Sequence, residues 1–208
     1  MNNLFSKQAQ ESDSIALVGP ILKGPIPAIP YPQVAVDGGA AFSLSPVLWV
    51  GDGDSGTTKV GVPALKKTSD NITDLVFCLI QIDRWKWTQL HLYGFLGARR
   101  DHELANFGEV CQMMKTRAET VRAIFYHDES EAKIFIYQAG LHSIEVQGLF
   151  SILVFETTRL TISGACQYPV SDQFIGAFSG RGVSNQGSGT ITIQSANPFL
   201  LLIGDGIA

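Results

Sequence analysis

Cysteine is scarce and unpatterned in this chain. Cys78, Cys111 and Cys166 are odd in number, far apart and without metal-ligand spacing. That excludes a disulfide framework and a zinc centre, and each thiol reads as a small buried apolar group. Charge is sparse as well: 16% of the 208 residues are charged and 45% are hydrophobic, a balance that excludes a disordered chain. The net charge is −4, so the basic surplus that ties a protein to phosphate backbones is missing and no nucleic-acid partner is expected. No apolar run is long enough for a membrane-spanning helix, so no membrane partner is expected. Met1-Asn2-Asn3-Leu4-Phe5-Ser6-Lys7 lacks the basic-then-apolar order of a secretory leader. Together with reduced cysteines, this gives an expected cytoplasmic location.

What the chain does have is alternation. Strands are expected at Ser14–Val18, Gln33–Val36, 47–50, 90–96, 123–127 and 133–137. A segment with Pro20, Pro25, Pro27, Pro30 and Pro32 separates the first two and cannot be helical, because proline lacks the backbone donor. The run 72–82 is nearly all apolar and reads as a buried helix with Asp70 or Asn71 as N-cap. Residues 101–117 read as a helix with Leu104, Phe107, Cys111 and Met114 on one stripe. Beyond 141 only short β-rich runs follow (142–146, 150–155, 160–163, 190–194 and Phe199–Ile203), broken by Gly164, Gly180, Gly182, Asn185 and Gly187-Ser188-Gly189. The expected architecture is therefore an α/β domain over residues 1–139, a largely parallel sheet with helices, followed by a small all-β sandwich over 140–208.

Chemistry concentrates at the ends of the apolar runs. Asp37-Gly38-Gly39-Ala40 follows the second expected strand, and Gly51-Asp52-Gly53-Asp54-Ser55 follows the third. Asn71-Ile72-Thr73-Asp74 opens the first helix, and Gly97-Ala98-Arg99-Arg100-Asp101-His102 leads into the second. In open α/β sheets, ligands bind beyond the carboxyl ends of the strands. Carboxylates gathered there suit Mg²⁺, a hard cation that takes one or two of them beside a polyphosphate. Arg99 and Arg100 ahead of a helix N-terminus suit phosphate oxygens. His102 and Asn106 are four apart and share a helix face. Each motif alone also reads as an ordinary turn, cap or solvated surface. A calcium loop fails, since Gly56 stands where a third oxygen ligand is needed and no Glu closes the loop.

Taken in order, these motifs resemble the thiamine pyrophosphokinase family. The resemblance rests on Asp37–Ala40, Gly51-Asp52-Gly53-Asp54-Ser55, Thr73-Asp74, Gly97 to His102 with Asn106, and Ser184-Asn185. It implies diphosphate transfer from ATP to thiamine, giving thiamine diphosphate and AMP. In that reading Asp52, Asp54 and Asp74 hold Mg²⁺ with Asp37 nearby, and Arg99 joins Asp52, Asp54 and Asp74 in catalysis. Asp37, Arg99, Asp101, His102 and Asn106 meet ATP. Asp70, Asp74, Ser184 and Asn185 meet thiamine, across a homodimer interface. Where the family often carries Lys-Asp or Gln-Asp, this chain has Asp70-Asn71. Two alternatives stay open: a diphosphokinase for another small alcohol such as a hydroxymethyl pterin, and a thiamine- or nucleotide-binding relative without turnover.

Overall fold

Short apolar runs rich in Val, Ile and Leu and buried on both faces are what the interior strands of a parallel sheet require. In the computed structural model, which describes residues 7–22, 26, 28–54, 61–118, 120–126 and 134–204, they form such strands. After a one-turn helix α1 (Lys7–Gln10) come β1 (Ser14–Val18), β2 (Gln33–Val36), β3 (Pro46–Gly51) and β4 (Ala64–Lys66). Helix α2 (Asp74–Ile82), β5 (Gln89–Tyr93), helix α3 (Arg100–Thr116) and β6 (Arg122–Tyr126) follow. All pairings among these strands are parallel, in the order β6-β5-β1-β2-β3-β4. Ile15, Leu17, Val34, Leu48, Val50, Leu90 and Leu92 are fully buried.

The remaining strands are β7 (Ile134–Tyr137), β8 (Gly140–Val154), β9 (Thr158–Cys166), β10 (Val170–Ile175), β11 (Asn185–Ser195) and β12 (Phe199–Ile203). They pair antiparallel throughout, in the order β10-β9-β11-β8-β12-β7. Their core gathers Val146, Phe150, Ile152, Ile162, Ile191, Ile193 and Phe199. Two compact units result. One comprises Met1–Glu109 with Glu119–Ala132, the other Val110–Ala118 with Lys133–Ala208.

The expected fold class is corrected here. The strands belong to one twelve-stranded mixed sheet, β10-β9-β11-β8-β12-β7-β6-β5-β1-β2-β3-β4, rather than to an α/β domain with a separate small sandwich. Among the described residues only α2 and α3 are α-helices of more than four residues. The sandwich reading fails at Gly148. It looks like a break between strands, yet it adopts φ 96°, open to glycine, and β8 runs through it for 15 residues. β8 then pairs with β11 from Gly140 to Phe150 and with β12 from Phe150 to Val154, edge to edge.

Smaller differences have local causes. Thr73, not Asp70 or Asn71, caps α2: its Oγ1 accepts from the Val76 amide at 3.1 Å. On α3 the buried stripe is Phe107, Val110, Cys111 and Met114, while Leu104 is 54% exposed. No described helix is long and apolar enough to cross a membrane.

Candidate functional site

The parallel strands deliver their carboxyl ends to one edge. From β1 the sheet extends to β2 on one side and to β5 on the other, so the chain connections diverge and leave a crevice between them. A cavity of about 550 Å³ opens there. Its lining includes Pro20 after β1, Asp37 after β2, Lys67 after β4 and Phe95 after β5.

Asp37 is held in an unusual backbone state. Its φ is 48°, in the left-handed region, at the start of a 3-10 turn spanning Asp37–Ala41. Two contacts fix it there. Trp49 Nε1 donates to the Asp37 carbonyl oxygen at 3.0 Å, and Gly51 packs so closely that a Cβ would come within 3.0 Å of Asp37 Cα. The Asp37 side chain leaves Oδ1 buried and without a hydrogen-bond partner among the described residues. After β3, Asp52 Oδ1 accepts from the Asp54 amide at 3.0 Å, an Asx turn that brings both carboxylates back toward Asp37. One carboxylate oxygen from each of Asp37, Asp52 and Asp54 lies within 4.8 Å of the others. Three converging hard oxygens, beside a buried oxygen lacking a donor, fit a Mg²⁺ ion. Ser55 lies outside the described residues.

Asp74 stands apart from that trio and is linked to it through a lysine. Lys67 is 8% exposed. Its Nζ lies 3.7 Å from Asp52 Oδ2 and 3.4 Å from Asp74 Oδ1, and donates to the Ile72 carbonyl at 3.1 Å. Burial pushes the Asp74 carboxyl above its ordinary range, with the Lys67 ammonium opposing. Asp52 is held below the ordinary range, chiefly by the Asp54 backbone N–H.

One face of α3 borders the cavity with His102, Asn106 and Glu109. Asn106 Nδ2 donates to the Phe95 carbonyl at 3.0 Å, which ties the helix to the end of β5. Glu109 Oε2 accepts from Thr73 Oγ1 at 2.8 Å, and burial raises the Glu109 pKa. Asp70 and Asn71 line the same cavity. Arg99 and Asp101 do not. They are 67% and 63% exposed and bonded to each other, with Arg99 Nε donating to Asp101 Oδ1 at 3.1 Å. That pairing holds the Asp101 carboxyl down at about 2.

Ser184 and Asn185 belong to the second unit. Ser184 is exposed with φ 58°, and its amide donates to Ser151 Oγ. Asn185 is buried: Oδ1 accepts from the Tyr168 and Gln186 amides, and Nδ2 donates to the Tyr168 carbonyl at 2.7 Å.

Sequence reasoning missed two residues of the site. Glu109 was within reach, being three residues past Asn106 and seven past His102 on the same helix face. Lys67 had no such signal, because the strand that positions it is a three-residue edge strand with alternating exposure.

No family model matches the sequence, and no curated protein matches it in sequence. Solved structures match in fold. The crystal structure of thiamine pyrophosphokinase from Bacillus subtilis is 20% identical with a TM-score of 0.73, over 92% of this chain and 99% of that one. Thiamin pyrophosphokinase from Geobacillus thermodenitrificans is 17% identical with a TM-score of 0.72, over 93% and 99%. Thiamin pyrophosphokinase from Candida albicans is 15% identical with a TM-score of 0.67, over 93% and 89%. At these identities the likeness is one of fold.

Proposed function

We propose that this chain is a thiamine pyrophosphokinase, transferring a diphosphate from ATP to thiamine to give thiamine diphosphate and AMP. One observation carries the reading: Asp37, Asp52 and Asp54 converge beyond the ends of two parallel strands, in a fold shared with solved thiamine pyrophosphokinases. Those three carboxylates would hold Mg²⁺, which neutralises polyphosphate charge when bound.

The thiamine hydroxyl oxygen bonds to the β-phosphorus, the bond from that phosphorus to the α,β-bridging oxygen breaks, and AMP leaves with the electron pair. Such a transfer needs positioning and charge neutralisation more than covalent help from the protein. We assign the hydroxyl proton to Asp74, whose carboxyl burial makes more basic. His102 and Asn106 border the cavity, and we assign them to ATP together with Arg99, which stands just ahead of α3 with its guanidinium exposed. Of the Ser184-Asn185 pair, the exposed side chain is Ser184, and we assign it to thiamine within a homodimer. A cytoplasmic setting accords with ATP as co-substrate.

The test is incubation with thiamine, ATP and Mg²⁺. Equal amounts of thiamine diphosphate and AMP are expected, abolished in Asp54→Asn. AMP release that is faster with a hydroxymethyl pterin would move the reading to another alcohol. Folded protein that releases no AMP with any acceptor would refute it.

A further inference from the structure

We propose that Lys67 is a resident cation of the acidic site and occupies the place of a second divalent ion. The chain would then bind one divalent ion, at Asp37, Asp52 and Asp54, while the Lys67 ammonium neutralises the Asp52–Asp74 side. The proposal deepens the diphosphotransfer reading, but the ion count it makes can be read without turnover.

Three observations carry it. First, the lysine is built in. Its backbone N–H donates to the Gly51 carbonyl at 2.8 Å, just before Asp52, and its Nζ donates to the Ile72 carbonyl at 3.1 Å, just before Thr73 and Asp74. Second, an ammonium 8% exposed persists only when charge-paired, and its partners are the two carboxylates that flank it. Third, its two carboxylate distances, 3.7 and 3.4 Å, exceed a tight hydrogen bond. Of its three N–H donors, among the described residues only the one to Ile72 is used at normal length, so donor capacity remains toward the cavity that Lys67 lines.

A divalent ion bridging Asp52 and Asp74 would need the volume the ammonium fills, and the like charges would repel at that range. Unlike an ion, the ammonium cannot dissociate, so this side keeps one compensating positive charge at any Mg²⁺ concentration. The substrate it suits is a polyphosphate, to which lysine contributes a point charge.

The experiment counts Mn²⁺ bound per chain by electron paramagnetic resonance, in nucleotide-free protein at millimolar Mn²⁺. One ion is expected in the native chain, one in Lys67→Arg and two in Lys67→Met, with Lys67→Gln as a second neutral variant should the first fail to fold. None or two ions in the native chain, or one ion in a folded neutral variant, would overturn the assignment. One native ion rising to two in the variant, with no AMP formed by native protein, would remove the diphosphotransfer reading and leave the Lys67 assignment standing.

Discussion

The Trp49 indole nitrogen donates a 3.0 Å hydrogen bond to the carbonyl oxygen of Asp37, and that bond helps hold the Asp37 backbone in the left-handed region. Trp49 is 3% exposed, so its donor competes with no water. Trp49→Phe keeps an aromatic ring and deletes the donor. The carbonyl loses its partner, at a cost of about 1–3 kcal/mol. Affinity for Mn²⁺ should fall about tenfold or more, as it does when a group that orients a ligand is removed. Urea unfolding and Mn²⁺ titration read the two effects separately, and unchanged Mn²⁺ affinity would contradict the role given to Trp49.

Thr73 has two duties that one substitution separates from their neighbours. It accepts from the Val76 amide as N-cap and donates to Glu109. Thr73→Ala should cost about 1 kcal/mol through the lost cap. It should also raise the Glu109 pKa further, because the Thr73 hydrogen bond opposes the upward push of burial. Thr73→Ser keeps both bonds and should stay near native. Thermal melts and a carboxyl-resolved NMR titration measure the pair of effects.

His91 should make the protein acid-sensitive within a defined window. It is 3% exposed, its Nδ1 lies 2.9 Å from the Tyr126 hydroxyl, and its Nε2 has no hydrogen-bond partner among the described residues. Tyr31, from the proline-rich segment, stacks on it at 4.4 Å. Burial, aided by Arg122, lowers its pKa from 6.5 to about 4. Between these values the unfolded chain binds a proton that the folded chain refuses, so stability rises with pH through the window and is lost as pH falls from 6.5 toward 4. Above 6.5 the residue contributes no slope. The full effect is about 3 kcal/mol. Subtracting the stability-versus-pH curve of His91→Phe from the native curve should isolate it, and a flat difference curve would contradict it.

The Arg99–Asp101 pair should matter little for stability. Both side chains are exposed, where water and salt screen an ion pair. Arg99→Ala should return the Asp101 pKa from about 2 toward 3.8, with a melting temperature close to native. If activity also falls, the loss belongs to nucleotide handling rather than folding.

The parallel strands were legible because burial on both faces writes a continuous apolar run, and Ser14–Val18 and Gln33–Val36 were read with the bounds the structure has, as was the antiparallel Phe199–Ile203. β4 and β10 were not, since Ala64–Lys66 and Val170–Ile175 keep mostly exposed side chains and carry no such run. The acidic turns were visible as motifs, yet their grouping was not. Which carboxylates meet depends on strand order and on the Asp37 backbone, and neither is written locally. Lys67 was hidden for the same reason that β4 was. The helix cap was misplaced by three residues at most because Asp70, Asn71 and Thr73 are all competent caps, and only Thr73 meets the helix at Asp74.

The 15-residue strand β8 changes partner at Phe150, which faces both Asn185 of β11 and Ile203 of β12. A single-residue insertion or deletion on either side of it would put the two ladders out of step, so that restoring one would turn the side chains of the other to the wrong face. Length in this strand is therefore constrained far more tightly than composition. Exposed positions such as Ser143 and Gln147 can drift, while the spacing between Gly140 and Val154 cannot.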